Sequence, residues 1–215
     1  MKSSIKNLSK AALLICGAWL FLITTTSGVH AQGSGVKPIR LVSGNIIPDI
    51  VTPAEAKVAA GASFDGKTFK LIQFEQIPGD RERQQWATAG LLLVDYLPDD
   101  TYFAVIEQGF DLDRLTDQAV TIIEVADIFR FEPSLAGLIA QGGATDRLVI
   151  SYYTDLDAAT VMAALQARGV AIQAHRDYSR QLDITLDPAR LREVLALPFI
   201  QFAGLPPEEP TLDGY

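Results

Sequence analysis

Cysteine and histidine are nearly absent from this 215-residue chain, which has one cysteine and two histidines. A single cysteine excludes a disulfide within the chain, and a zinc site built from these residue types needs about four of them. Basic residues are also scarce, since 18 Lys and Arg stand against 26 Asp and Glu, a net charge of −8. Nucleic acids and anionic membrane surfaces attract basic proteins, so we expect neither as a partner.

Long hydrophobic runs are absent except for one near the amino end. Three lysines in the first ten residues precede a mostly apolar stretch over residues 11–24. Val29 and Ala31 then stand at the positions that a signal peptidase reads. The alternative is a membrane anchor, but a spanning helix needs about 20 apolar residues and this stretch is shorter. We therefore predict a cleaved signal peptide over residues 1–31 and a secreted or periplasmic protein.

Cleavage after Ala31 changes the chemistry of the remaining chain. It removes three lysines and no acid, leaving 15 basic against 26 acidic residues, a net charge of −11. Cys16 is removed as well, so no thiol nucleophile is left. Lipidation of Cys16 is disfavoured because Ile15 is larger than the residue that a lipoprotein signal requires before its cysteine. Only one histidine, His175, remains.

Regular structure is predicted twice, in the same succession. Residues 68–140 contain a β-branched strand, a polar helix ended by Gly90, two strands joined by a Pro-Asp-Asp turn, a short helix from Phe110 and a fourth strand. Residues 146–203 repeat strand, helix, hairpin, helix and strand, with Gly169 ending the first helix. Each succession is βαββαβ.

The spacings of the two copies agree. There are 21 residues from Phe69 to Gly90 and 21 from Leu148 to Gly169, and the hairpins that follow have equal lengths. We therefore predict an α+β protein of two tandem ferredoxin-like units, each an antiparallel sheet with two helices on one face. A single larger α+β domain in which both copies share one core remains the alternative.

The segments outside the two copies have no sustained hydrophobic period. Residues 32–67 are predicted to be an N-terminal segment that is extended or partly ordered, and Gln141-Gly142-Gly143-Ala144 to separate the copies. The last segment, residues 204–215, contains three prolines and few apolar residues, which is typical of a flexible tail.

The three residue types of a Ser-His-Asp triad occur close together in the sequence. His175, Asp177 and Ser179 lie within five residues, but on a hairpin between two strands. A triad requires a nucleophile, a base and an orienting acid that are linked by hydrogen bonds around a reacting centre. A structural hairpin is therefore the favoured interpretation.

Acidic residues form two further groups. They are Asp111, Asp113 and Asp117, and Asp95, Asp99 and Asp100. The first group lacks the glycine and the closing glutamate of a calcium loop, and turn chemistry accounts for the second. No phosphate-binding glycine loop or nucleophile elbow occurs. We expect no catalytic, cofactor-binding or metal-binding residue in this chain.

Five segments of the first copy carry a resemblance to a known family. They are Phe69-Lys70-Leu71-Ile72-Gln73-Phe74, Ile77-Pro78, Ala89-Gly90, Val94-Asp95-Tyr96-Leu97-Pro98-Asp99-Asp100-Thr101-Tyr102 and Phe129-Arg130-Phe131-Glu132-Pro133-Ser134-Leu135. In this order they resemble the N-terminal propeptide region of secreted bacterial subtilisin-like serine peptidases. The resemblance covers roughly Thr68 to Leu138. The second copy matches only in its pattern of elements, and residues 32–67 do not match.

The resemblance implies a non-catalytic domain pair that binds, inhibits or chaperones a subtilisin-like peptidase in cis or in trans. Such a domain packs its sheet against the peptidase and lays its tail through the active-site cleft by β-augmentation. The tail residues implied in this binding are Leu212, Asp213, Gly214 and Tyr215. No subtilase catalytic motif occurs in these residues, so the chain is either the front of a longer peptidase or a free-standing propeptide-like protein.

Two other functions remain open from the sequence. One is a structural or adhesive module of the cell envelope without affinity for a peptidase. The other is a small periplasmic enzyme that uses His175.

Overall fold

A computed structural model describes residues 35–41, 44–59 and 61–207 of the chain. The predicted signal peptide and the tail residues Leu212–Tyr215 lie outside the described residues. The helices are α1 (Pro53–Val58), α2 (Asp80–Ala89), α3 (Pro133–Ala140), α4 (Ala158–Gln166) and α5 (Leu191–Leu195). The strands are β1 (Ile39–Leu41), β2 (Gly44–Ile46), β3 (Ser63–Phe64), β4 (Lys67–Phe74), β5 (Leu91–Leu97), β6 (Thr101–Glu107), β7 (Ala119–Ile123), β8 (Arg147–Tyr152), β9 (Ala171–Arg176), β10 (Gln181–Thr185) and β11 (Ile200–Gly204).

The two copies form two antiparallel sheets with the same strand order. In the first, β7 pairs with β4, β4 with β6 and β6 with β5, while the short β3 extends the β7 side of β4. In the second, the order is β11-β8-β10-β9. Numbered within each copy, both orders are fourth, first, third, second. The predicted α+β class with two ferredoxin-like antiparallel sheets is confirmed.

Local chemistry explains where the helices begin and end. Asp157 caps α4 by accepting a hydrogen bond from the Thr160 amide at 2.8 Å. Gly90 follows α2 with φ of +103°, and Gly169 follows α4 with φ of +72°. Both glycines adopt the left-handed conformation that ends a helix without a Cβ penalty, which is why both copies end their first helix on glycine.

Two predictions for the first copy need correction in detail. The helix expected from Phe110 is only a four-residue 3-10 turn, Leu112–Leu115, capped by the Asp111 carboxylate. Helix α3, which begins with Pro133 after β7 and the 3-10 turn Asp127–Arg130, was not predicted. The short connection between the copies therefore starts after a helix and not after a strand.

The first sheet is covered on both faces. On one face, Phe74 and Trp86 stack with ring centroids 5.5 Å apart in a core between this sheet and α2. On the other face, Phe69 stacks on Tyr153 of the second copy at 4.4 Å and 16°. This second core also contains the helix-facing side of the second sheet. The two copies thus have separate sheets but share one of the two cores.

Residues 35–41 and 44–59, which we call the N-terminal strap, are more ordered than the extended or partly ordered segment that the sequence predicts. They form the β1–β2 hairpin and α1, which starts with a capping box between Thr52 and Glu55. Two fully buried side chains of the first sheet hold the strap. Gln73 bonds both the amide and the carbonyl of Lys37, and Thr121 bonds the Val51 amide and the Asp49 carbonyl.

Replacing Gln73 with leucine is expected to release the first part of the strap and lower the free energy of unfolding by about 1–3 kcal/mol. The Gln73 carboxamide accepts from the Lys37 amide at 2.8 Å and donates to its carbonyl at 3.0 Å, and leucine can do neither. Amide hydrogen exchange should show faster exchange at Lys37. The exposed Gln76→Leu is the matched control, and equal exchange at Lys37 in both variants would contradict the anchoring role.

Candidate docking surface

The His175 hairpin lies at the free edge of the second sheet, on β9. The His175 Nε2 atom is 3.0 Å from the Tyr152 hydroxyl and 3.9 Å from Oδ1 of Asp177. The Ser179 hydroxyl donates instead to the Arg176 carbonyl at 3.4 Å. Within the described part of the chain, these three residues do not form a hydrogen-bonded relay from serine to histidine to aspartate.

The acidic groups make contacts that are typical of turns and surface ion pairs. The Lys57 ammonium group lies 3.0 Å from Asp111 and 3.1 Å from Asp113, and its hydrogen bond lowers the pKa of Asp111. The Asp95 carboxylate accepts from Gln201 of the second copy at 2.7 Å. Asp99 and Asp100 both have positive φ and form the turn between β5 and β6.

The second sheet presents one face that no element of the described chain covers. Strand alternation buries Leu148, Ile150, Leu182 and Ile184 on the helix side, so the residues between them point to the opposite side. We call this opposite side the open face. It is formed by Val149, Ser151, Arg176, Gln181, Asp183 and Phe202.

The open face combines small apolar and polar side chains around a shallow concavity. The concavity has a volume of about 310 Å³ and is lined by Val149, Ser151, Gln181 and Phe202, among others. Arg176 and Asp183 form a bidentate ion pair across β9 and β10, with nitrogen–oxygen distances of 2.7 and 2.6 Å. The pair satisfies both charges within the face, so a partner does not have to neutralise either one.

The chain leaves the second sheet beside this concavity. Gly204, Leu205 and Pro207 line its border at the end of β11. The Leu205 amide donates to Oε2 of Glu132 at 3.1 Å, and the Glu132 amide donates to the Ala203 carbonyl at 2.8 Å. These bonds fix the direction in which the chain continues toward the predicted tail.

A buried arginine connects the two copies behind the open face. Arg130, which precedes α3, donates from Nη1 to the carbonyls of Leu197 and Ile200 at 2.9 Å each. Its Nη2 donates to the Leu195 carbonyl at 3.2 Å and pairs with Asp127. In the sequence Arg130 stands out only as part of the propeptide resemblance, because nothing in the local pattern indicates that its partners lie about 65 residues later.

No three His, Cys, Asp or Glu side chains in the described ranges are placed to hold a metal ion. None of the described helices has both the length and the apolar character that crossing a membrane requires. The residues that the resemblance assigns to peptidase binding, Leu212–Tyr215, lie beyond the described part of the chain. Among the described residues, the open face is a candidate docking surface, because its side chains point away from the helix-covered side of the second sheet.

Comparison with known proteins gives one match. Residues 40–132 match the model of a protein family described as a domain of unknown function, DUF8729. The matched region, less than half of the chain, includes most of the N-terminal strap together with the first sheet, in agreement with the hydrogen bonds from Thr121 to Val51 and Asp49. No curated protein and no solved structure matches the chain.

Proposed function

We propose that this chain binds a subtilisin-like serine peptidase, in cis or in trans, and inhibits it or assists its folding without catalysing a reaction itself. The observation that carries the proposal is the open face of the second sheet at the point where the chain continues into its tail. A propeptide of the kind that the first copy resembles uses these two features together, a sheet face and the segment that follows it.

The packing of the two copies decides which sheet face is available to the peptidase. Phe69, Leu71 and Phe103 of the first sheet are buried against the second copy. The corresponding docking face of the first copy is therefore occupied within the chain. The second copy, although its sequence resembles the propeptides less, presents the face that the proposal requires.

The size of the open face favours joint binding by the sheet and the tail. Four strands of about five residues cover roughly 20 Å by 17 Å, or about 340 Å² in projection. Even doubled for the relief of the side chains, this area is below the roughly 800 Å² per partner of a stable interface. The small area therefore supports the proposal that residues beyond Pro207 contribute, in line with the role proposed for Leu212–Tyr215.

Inhibition of a purified bacterial subtilisin by the chain without residues 1–31 tests the proposal. We expect inhibition, weakened about tenfold or more by Ser151→Arg, because a long cation at the centre of the open face blocks close packing. Ala163→Arg places the same charge on the exposed side of α4 and should not change the inhibition constant. Deletion of residues 208–215 should weaken inhibition as well.

Three outcomes would contradict the proposal in different ways. An unmodified chain that neither inhibits nor binds the peptidase would exclude the function and favour the structural or adhesive module of the envelope. Equal inhibition by the Ser151→Arg and Ala163→Arg variants would exclude the open face. Full inhibition after deletion of residues 208–215 would exclude the tail.

A further inference from the structure

A second concave surface, separate from the open face, lies between α3 and α5. We call it the α3–α5 groove, and its volume is about 290 Å³. Its walls are mostly apolar and are formed by Phe131, Ala136, Ile139, Ala140 and Leu195. Phe131 and Leu195 are buried at its floor, whereas Ala136 and Ile139 are half-buried and Ala140 is exposed.

Two charged side chains lie at the border of the groove, and only one of them already has an ionic partner. The Asp127 carboxylate pairs with the buried Arg130, so its charge is compensated. Arg192 donates from Nη2 to the Ile139 carbonyl at 3.3 Å and forms no ion pair with any residue that the structure describes. The groove therefore offers an apolar wall next to an available guanidinium group, which fits an apolar side chain followed by a carboxylate.

We propose that residues 208–215 of this same chain bind in the α3–α5 groove, with Leu212 against Ile139 and Asp213 beside Arg192. This segment contains three acids, Glu208, Glu209 and Asp213, and no base, so its charge complements the arginine. Leu212 and Asp213 supply in sequence the apolar side chain and the carboxylate that the groove fits. This docking concerns the chain in the absence of a peptidase, and the segment has to leave the groove before Leu212–Tyr215 can contact a peptidase.

The reach of the segment permits this docking. Leu205 is bonded to Glu132, the residue just before α3, and Ile139 lies seven residues further along the chain. Seven helical residues correspond to about 10 Å. The seven residues from Leu205 to Leu212 span up to about 23 Å when extended, so the segment can turn and follow α3 to the groove.

The full chain without residues 1–31, carrying ¹³C-labelled isoleucine methyl groups, tests the proposal by NMR. The δ1 methyl resonance of Ile139, assigned with Ile139→Val, is expected to move by more than its linewidth in Leu212→Ala. Thr211→Ala is the matched control and should leave the resonance in place. The methyl resonance of Ile172 on β9 should be unchanged in both variants, because β9 lies away from the groove.

The proposed contact between Asp213 and Arg192 can be tested separately in the same NMR spectra. Asp213→Asn and Arg192→Gln should each shift the Ile139 resonance, and the double variant should show no further shift due to Asp213→Asn. An Ile139 resonance that is identical in Leu212→Ala and in the unmodified chain would overturn the proposal. A shift that disappears on dilution would also overturn it, since the segment would then come from a second copy. Neither result decides whether the chain inhibits a peptidase, which the inhibition assay measures separately.

Discussion

Replacing Arg130 with methionine is expected to lower the free energy of unfolding by about 3–5 kcal/mol, because three backbone carbonyls lose a charged donor and each unsatisfied buried acceptor costs about 1–3 kcal/mol. The Arg130 side chain is only 7% exposed, and its guanidinium group donates to the carbonyls of Leu195, Leu197 and Ile200. Methionine has a similar length but no donor, so these carbonyls at the end of α5 lose hydrogen bonds in a buried place. Denaturant unfolding followed by circular dichroism measures the loss.

Arg83 provides the matched control for this substitution. It also pairs with an aspartate three residues away, Asp80, but its side chain is 41% exposed and its partner 94% exposed. Exposed ion pairs contribute little, so Arg83→Met should change the free energy of unfolding by less than about 1 kcal/mol. If Arg130→Met lowers the free energy of unfolding by no more than Arg83→Met does, the carbonyls of Leu195, Leu197 and Ile200 do not depend on Arg130.

The repeat of the two sheets could be predicted from sequence because its signals are local. β-branched runs mark the strands, and a glycine at the same spacing ends the first helix of each copy. The positive φ of Gly90 and Gly169 explains why glycine stands at both positions. Such signals need only a few neighbouring residues to be effective, so the succession of strands and helices and the two antiparallel sheets could be predicted.

The order of the N-terminal strap could not be predicted, because its anchors are remote in sequence. Lys37 is held by a side chain 36 residues away, and Val51 by one 70 residues away. No periodicity within residues 32–67 reflects these bonds. The capping box of Thr52 and Glu55 was the one local signal present, and it predicts only the short helix α1.

The covering of the first sheet on both faces had a signal that the sequence analysis did not use. All six residues from Thr101 to Ile106 of β6 are buried, and so are the six from Phe69 to Phe74 of β4. Continuous burial of this kind corresponds to a continuous run of mostly apolar residues, which is typical of strands covered on both sides. In β10, by contrast, apolar and polar residues alternate, in agreement with one open face.

The second substitution with a large expected effect on stability lies in the contact between the two copies. Tyr153→Ala is expected to lower the free energy of unfolding by about 3–5 kcal/mol, because it removes a fully buried aromatic ring from the shared core. The Tyr153 ring stacks on Phe69 at 4.4 Å and meets Phe103 edge-on at 6.1 Å. Tyr178→Ala removes the same side chain from a position that is 99% exposed, and it should have little effect. Similar losses for both variants would show that the copies do not depend on this contact.

The phenol of Tyr153 also makes the free energy of unfolding of the chain depend on pH in the alkaline range. Burial raises the pKa of Tyr153 above the usual value of 10.0, because the ionised form is disfavoured in the core. Below pH 10 this group contributes no pH dependence. Above it the unfolded chain loses the proton while the folded chain keeps it, so stability falls by up to about 1.4 kcal/mol per pH unit.

Tyr153→Phe retains the aromatic packing and removes the ionisable group, so it isolates this effect. Between about pH 9 and about pH 11, the free energy of unfolding of the unmodified chain should fall by about 1 kcal/mol more than that of the variant. The other tyrosines, including Tyr152, whose pKa burial also raises, are present in both proteins, and their contributions cancel in the difference. Equal decreases in both proteins would mean that the Tyr153 hydroxyl can ionise in the folded chain. The contact between the two copies would then be open to solvent at its centre, and the face of the first sheet would not be withheld from a peptidase.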